Sequence, residues 1–327
     1  MVVSGSRKKC NVADAEIASF LSLSDYRNNY FTSSDPNKII EFYNLFKNRE
    51  QLIKWMKERP KGATNIYETE GNKDIIVVIP TSDFNGKYSK ECRENIFKGL
   101  HIIFVQSGEI PDPYFNYAHS CNVGIKKAME YNPKWVVVSN DDMYRIDSIS
   151  ELINKLSNLN NKEVNIVYAN SPNFNLRKVL LVKQVNLIHF YFNLFNIGGF
   201  RMLERVTRNN GLNLYYEEIR ANRLISHLFK HAYYFNNFEC FGIFSSYFIQ
   251  KQRDGLLFDE TFINGREDID LSLKLSFQKE KIKCIDYKIG NHIGSSLGNG
   301  LTRSLRHHAG RVYLYYKWTD EIDALIN

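Results

Sequence analysis

The chain has 327 residues, with 43 Lys and Arg against 36 Asp and Glu and a formal net charge of +7. This length suffices for one large or two ordinary domains with a buried core. A hydrophobic content of 43%, together with 18 glycines, excludes disordered and fibrous proteins. The small positive surplus favours anionic ligands but is too weak to indicate nucleic-acid binding, so no nucleic-acid partner is predicted.

Two features bear on location. The five cysteines are scattered without metal or disulfide spacing, and the first 20 residues contain no apolar segment of signal-peptide length, which together predict a cytoplasmic protein. The most apolar long stretch, residues 179–200, is interrupted by six polar residues and should not cross a membrane. With Arg177, Lys178 and Lys183 it could contact the inner membrane face peripherally, or bury itself against the domain.

Residues 1–73 are predicted to be an N-terminal helical extension. Asp35 is a plausible N-cap followed by Pro36 at the first helical position, and Pro60 ends the pattern. Apolar residues recur between them at helical spacing, at Ile39, Phe42, Tyr43, Phe46, Leu52, Ile53 and Met56.

From residue 74 to 300 short apolar runs alternate with helical patterns, which indicates βαβ units and a mostly parallel sheet. The predicted strands cover residues 75–79, 101–106, 135–139, 164–169, 241–250 and 282–285. The predicted helices cover residues 89–98, 115–132, 146–159 and 267–279, and a Gly/Ser/Asn-rich loop covers 290–300.

Two further segments are harder to interpret. Residues 170–238 show no clean period, are assigned no structure, and are treated as an insertion that could shape an acceptor site. Residues 301–327 are predicted to be a basic and aromatic tail that packs on the domain and ends in one or two helical turns. The pair His307-His308 and its neighbouring arginines are predicted to form a solvated basic face.

Candidate chemistry is expected outside the carboxyl ends of the strands, where open α/β sheets bind ligands. Asn140, Asp141 and Asp142 follow the third strand and form an oxygen-rich set that suits Mg²⁺ or Mn²⁺. The same three residues could instead cap a turn, because their side chains readily bind backbone N–H groups.

Two other positions have a structural and a functional interpretation. Glu267 and Asp268 begin a helix, where carboxylates complement the helix dipole, but one of them could also act as a general base toward a hydroxyl. His292 lies in the predicted loop and could be either a hydrogen-bonded structural residue or a ligand.

Three segments, in this order, resemble the family 2 glycosyltransferases of the GT-A fold. They are IIVVIPT, YAHSCNVGIKKAMEYNPKWVVVSNDDM and FGIFSSYFIQKQRDGLLFDETFINGREDIDLSLKL. The resemblance implies a Rossmann-like α/β domain over residues 74–300, with a mostly parallel sheet flanked by helices and preceded by the helical extension.

The resemblance also implies roles for individual residues. Asp268 would be the general base, Glu267 would position acceptor or donor sugar, and Asp142 with His292 would bind Mn²⁺ or Mg²⁺. The implied donor-binding residues are Pro80, Thr81, Asp83, Gln106, Asn122, Asn140 and Asp141. Two positions depart from the family pattern, since Gln106 replaces the usual acidic residue and Asn140 replaces the first Asp of the DXD motif.

The implied function is a metal-dependent, inverting glycosyltransferase. It would move a sugar from a nucleotide-diphosphate sugar to a hydroxyl on a glycan, a protein glycan or a lipid-linked sugar. The alternative, motivated by Gln106 and Asn140, is a catalytically silent protein of the same fold that binds a nucleotide or a glycan.

Overall fold

A computed structural model describes residues 30–108, 112–145, 147–169, 177–183, 194, 212, 216–220, 232–239, 241–263, 265–292 and 300–326. The helices are α1 (Pro36–Asn44), α2 (Arg49–Glu58), α3 (Lys87–Glu91), α4 (Tyr117–Met129), α5 (Ile149–Ser157), α6 (Ser246–Gln250), α7 (Glu267–Phe277) and α8 (Gly300–Ile326). The strands are β1 (Thr64–Thr69), β2 (Asn72–Thr81), β3 (Leu100–Ser107), β4 (Trp135–Ser139), β5 (Met143–Arg145), β6 (Ile166–Ala169), β7 (Arg177–Lys183), β8 (Tyr216–Arg220), β9 (Ala232–Asn237), β10 (Phe241–Ser245), β11 (Ile282–Ile285) and β12 (Ile289–Asn291).

The central sheet has seven strands in the order β1-β3-β2-β4-β10-β6-β11. Strands β3, β2 and β4 run parallel, as do β6 and β11, whereas β1 pairs antiparallel with β3 and β10 pairs antiparallel with both β4 and β6. The α/β prediction is therefore confirmed, and the sheet is mixed: five of its strands run in one direction, and β1 and β10 run in the other. All five residues of β10 are buried, and a strand covered on both faces has the same apolar composition in either direction.

Both faces of this sheet are covered. Ile75, Val77 and Ile79 of β2 face a core that includes Leu152 and Leu156 of α5. The alternate residues, Ile76 and Val78, face the opposite core, which includes residues of α4 and α7. Burial of successive residues on opposite faces explains why β2 appears in the sequence as a continuous apolar run.

Gly124 sets how closely α4 approaches the sheet. A Cβ atom at this position would lie 2.3 Å from Val78 Cγ1 and 2.9 Å from Val105 Cγ2. We expect Gly124→Ala to destabilise the protein by about 1–3 kcal/mol through overpacking, although alanine is intrinsically the better helix former. Urea unfolding measures the difference, and Lys126→Ala on the exposed side of α4 is the control, with a change within about 0.5 kcal/mol. A Gly124→Ala protein as stable as the parent would contradict this packing argument.

The N-terminal segment is helical only in part. Asp35 caps α1 by accepting a hydrogen bond from the Asn37 N–H, and α2 ends at Glu58, before Pro60, as predicted. The prediction of a helical extension reaching residue 73 is wrong at its end, because β1 joins the central sheet. This strand is polar and largely exposed at the sheet edge, so it lacks the apolar run that identifies the buried strands.

The C-terminal helix α8 spans 27 residues and has a kink at Trp318, so the prediction of one or two helical turns is wrong. It packs on α1 and α2 in a third core, separate from the two faces of the sheet. Tyr43 and Tyr30 donate hydrogen bonds to the carbonyls of Leu305 (2.6 Å) and Arg306 (2.7 Å).

The prediction of a solvated basic face on this helix is wrong for two of its residues. His308 is fully buried and Arg306 is 5% exposed, because they lie on the side of α8 that packs against α1. Arg303, His307 and Arg311 stay partly exposed.

The predicted insertion contains part of a second sheet. β7 pairs with β8 and with β9 in a three-stranded antiparallel arrangement. The predicted membrane-contacting face lies outside the described residues, apart from the backbone of β7 and the isolated residue 194. Among the helices that the structure describes, none is both long and apolar enough to cross a bilayer.

Candidate active site

The carboxyl ends of β2, β3 and β4 lie side by side at one edge of the sheet. Pro80 and Thr81 end β2, Gln106 lies near the end of β3, and Asn140 follows β4. The topology therefore brings the predicted donor-binding residues of three separate chain segments to one place.

Thr81 links the end of β2 to the acidic residues that follow β4. Its hydroxyl donates a hydrogen bond to Asp141 Oδ2 (2.7 Å) and lies 2.8 Å from the hydroxyl of Ser89. Ser89 in turn donates to the carbonyl of Asp83 (2.7 Å). Ser89 is a contributor that the sequence did not single out, because a serine in a short helix after a loop has no distinguishing pattern.

Gln106 and Asp83 both hold the loop that follows β2. Gln106 Oε1 accepts a hydrogen bond from the N–H of Phe84 (2.8 Å), and Asp83 Oδ1 accepts one from the N–H of Asn85 (2.9 Å). Phe84 stacks on Tyr67 with ring centroids 4.4 Å apart. These contacts fix the loop, and donor binding by Gln106 and Asp83 stays a prediction.

Asp141 and Asp142 occupy an unusual environment for adjacent carboxylates. Burial raises the pKa of Asp141, while burial and then the charge of Asp141 raise the pKa of Asp142. The Oδ1 atom of Asp142 is buried without a hydrogen-bond partner among the described residues. A buried carboxylate oxygen left in this way costs free energy unless another group, such as a cation, binds it.

His292 lies beside this pair. Its backbone N–H donates to the carbonyl of Asp142 (2.7 Å), because β12 pairs antiparallel with β5 directly after the two carboxylates. Its ring centroid is 5.2 Å from that of Tyr144. The structure therefore places the backbones of the two predicted metal ligands, Asp142 and His292, next to each other.

The residues present fit a cation bound jointly with a ligand. Within the described ranges no three His, Cys, Asp or Glu side chains cluster closely enough to form a metal site by themselves. Mg²⁺ in nucleotide sites is commonly bound by one or two carboxylates and completed by phosphate oxygens and water. Asp142, with its unpartnered oxygen, and the adjacent Asp141 match that requirement.

The second acidic pair begins α7. Glu267 is 7% exposed, and burial followed by the neighbouring charge of Asp268 raises the pKa of Glu267 to about 7. Its Oε2 atom is buried without a hydrogen-bond partner among the described residues. A carboxyl group with this pKa exchanges protons near neutral pH, a property common in active sites and rare elsewhere.

Asp268 is half-buried, and a residue of the predicted insertion 170–238 donates a hydrogen bond to its carboxylate. Its Oδ2 accepts a hydrogen bond from Asn237 Nδ2 (2.8 Å), and Asn237 Oδ1 accepts one from the hydroxyl of Ser272 (2.9 Å). Both of these supporting residues are almost fully buried. Neither residue stands out in the sequence, since Asn237 lies in the segment 170–238, which has no recognisable period, and Ser272 is one of several serines in a helix.

Asn122 connects α4 to the chain that precedes α7. Its amide donates to the carbonyl of Phe258 (2.9 Å) and to Glu260 Oε1 (3.0 Å), and its oxygen accepts from the N–H of Phe258 (3.1 Å). The side chain thus attaches α4 to the loop that leads to α7. A donor contact by Asn122 is untested and stays a prediction.

The predicted site residues therefore fall into two groups. Thr81, Asp141, Asp142 and His292 form the first group at the strand ends, and Glu267 with Asp268 forms the second at the start of α7. Helix α4 is in contact with the elements that carry both groups, since it packs on β2 and β3 and, through Asn122, holds the chain before α7.

Comparison with protein-family models, with curated proteins and with solved structures gives no match to this chain.

Proposed function

We propose that this protein is a metal-dependent glycosyltransferase that takes its sugar from a nucleotide-diphosphate donor and inverts the anomeric centre. The observation that carries the proposal is the half-buried pair Asp141 and Asp142 at the strand ends, with the Oδ1 atom of Asp142 buried and without a hydrogen-bond partner among the described residues. The acidic pair at the start of α7 supplies a candidate base.

The proposed reaction is a single displacement. The acceptor hydroxyl oxygen forms a bond to the anomeric carbon while the bond from that carbon to the diphosphate breaks. Asp268 accepts the hydroxyl proton, and the electron pair of the broken bond leaves on the diphosphate. A divalent cation held by Asp142 would neutralise charge on this leaving group.

A hydrogen bond from a neighbouring side chain fixes the position of one carboxylate in each acidic pair. Thr81 orients Asp141 by a direct hydrogen bond, and Asn237 orients Asp268 in the same way. Such fixed positions matter because a general base acts only within hydrogen-bonding reach of the proton that it removes.

Two substitutions test the proposal. Asp142→Ala should weaken Mn²⁺-dependent binding of UDP, GDP or dTDP sugars at least tenfold by calorimetry, because it removes the cation ligand. Asp268→Asn should leave donor binding intact and lower transfer about 10²- to 10⁴-fold, because it removes the base. The control is Asp286→Asn, an exposed carboxylate with neither role.

Other outcomes would either refute the proposal or favour the alternative function. If no nucleotide sugar binds with Mn²⁺, or if Asp142→Ala binds as tightly as the parent, the proposal is wrong. If the parent binds a donor and neither transfers nor hydrolyses it, the silent binding protein is the correct alternative.

A further inference from the structure

The contact between α8 and the corner that precedes α7 is unusually close. A Cβ atom on Gly265 would lie 2.2 Å from His307 Nδ1, and one on Gly310 would lie 2.5 Å from the carbonyl of Gly265. Two glycines thus allow the helix to pack directly on the backbone beside the acidic pair of α7.

Three arginines surround this contact. Arg303 and Arg311 lie one helical turn before and after His307 on the same face of α8, and Arg266 occupies the corner itself. All three are partly exposed. Arg303 Nε donates to His307 Nε2 (3.4 Å), and the Nε of Arg311 is buried without a hydrogen-bond partner among the described residues.

Arg266 breaks two local rules. It has a left-handed backbone with φ of 80° and occupies the N-cap of α7, where it makes no side-chain cap. A non-glycine residue is sterically strained in the left-handed region, and a cation at a helix N-terminus opposes the helix dipole. Local rules are most often broken at functional sites.

The charges of the three arginines all act on the side chain of His307. Burial, followed by the charges of Arg266, Arg311 and Arg303, lowers the pKa of His307 to about 2. The imidazole is therefore neutral, and the positive potential around it comes from guanidinium groups. Guanidinium groups bind phosphate oxygens in bidentate geometry.

We propose that Arg266, Arg303 and Arg311 form a phosphate-binding subsite, distinct from the Asp141 and Asp142 site, and that the acceptor carries a phosphate or diphosphate group. The assignment to the acceptor rests on the proposed function, because the subsite adjoins Asp268, where the acceptor hydroxyl would lie. A phosphate held there would bring an attached sugar or lipid to the base.

The test uses inorganic pyrophosphate with the full chain in EDTA, measured by calorimetry. The parent should bind, and Arg311→Gln should weaken binding about tenfold or more, because one guanidinium contributes about 1.5–3 kcal/mol through charged hydrogen bonds. Arg303→Gln, on the same face, should give the same loss and guards against a folding defect confined to one variant. The control, Arg253→Gln, changes an arginine whose side chain is 97% exposed and should leave binding unchanged.

A further variant separates the two sources of phosphate. Binding that survives both EDTA and Asp142→Ala belongs to a site other than that of the metal-bound donor. Affinity that requires Mn²⁺ and disappears in Asp142→Ala would assign the phosphate to the donor and overturn the inference. So would the absence of pyrophosphate binding, or equal binding by the parent and both arginine variants.

The two proposals can fail separately. Loss of pyrophosphate binding beside intact Mn²⁺-dependent donor binding would refute the subsite alone. Absence of donor binding beside intact pyrophosphate binding would refute the transferase and leave the phosphate-binding subsite in place.

Discussion

Lys317→Met is expected to destabilise the protein by about 3–5 kcal/mol at pH 7. Lys317 Nζ lies 2.8 Å from Asp259 Oδ2 and 2.8 Å from Asp270 Oδ2, and so joins α8 both to α7 and to the loop before it. The Asp270 side chain is only 4% exposed. Removing the lysine leaves two enclosed carboxylates without their cation, whereas Lys162→Met, at an exposed position, should change stability by less than about 0.5 kcal/mol.

The pH dependence gives this prediction a second measurement. Although burial acts in the opposite direction, Lys317 lowers the pKa of Asp259 to about 2. Because this folded-state pKa lies below the ordinary value of 3.8, the stability from Asp259 is present above about pH 4 and is lost as the pH falls toward 2. The gap between parent and Lys317→Met in urea unfolding should therefore narrow at low pH. Equal stability of the two proteins at pH 7 would show that the lysine bridge is not required.

Glu267→Gln is expected to stabilise the protein above neutral pH while it impairs transfer. The folded-state pKa of Glu267, about 7, lies above its ordinary value of 4.5. The parent therefore loses stability as the pH rises through this interval, because the folded state must give up a proton that it binds tightly. At pH 8 the variant should be more stable by about 1–3 kcal/mol, and at pH 4 the two should be equal.

Thermal or urea unfolding at pH 4, 6 and 8 measures this effect. Glu94→Gln, an exposed carboxylate on the π turn after α3, is the control and should show no pH-dependent difference. A gain in stability beside a loss of transfer is typical of an active-site residue. A pH-independent difference, or a loss of stability at pH 8, would show that Glu267 is an ordinary helix-capping carboxylate.

The fold could be predicted where burial dictates composition. The strands at 75–79 and 135–139 lie within the observed β2 and β4, because strands covered on both faces require unbroken apolar runs. The strand at 282–285 coincides with β11, although β11 lies at the edge of the sheet and is largely exposed. Composition carries no information on strand direction, so the antiparallel direction of β10 could not be predicted. Composition also does not identify a strand at an exposed edge of the sheet, where β1 stays polar.

The points at which a strand or helix ends were harder to predict than the strands and helices themselves. The run 241–250 is mostly apolar, but the chain changes from strand to helix at Ser245, whose hydroxyl accepts from the N–H of Phe248 and caps α6. A serine in an apolar run gives only a weak signal for such a change. Likewise, Gly310 and the basic residues of α8 conceal a continuous helix, because the glycine is there for a close contact and not to end the helix.

The candidate site could be predicted in part for a topological reason. Thr81 and Asp141 are 60 residues apart in sequence, yet parallel strands deliver both to the same edge. No comparable rule connects Asn237 with Asp268 or Ser272, because that contact depends on how an irregular segment folds back on α7. The sequence shows the arginines of α8 as a basic group, but their position beside α7 depends on tertiary packing alone.

The pairing of α1 with α8 has a consequence for the order of events during synthesis. Tyr43 emerges from the ribosome about 260 residues before Leu305, the residue whose carbonyl it binds. Until then the aromatic face of α1 is covered only in part, by Trp55 of α2, and the rest must be protected by transient contacts or by a chaperone. Gly265 and Asp270 likewise gain their final neighbours only when α8 is complete, so the start of α7 is among the last parts of the chain to reach its final packing.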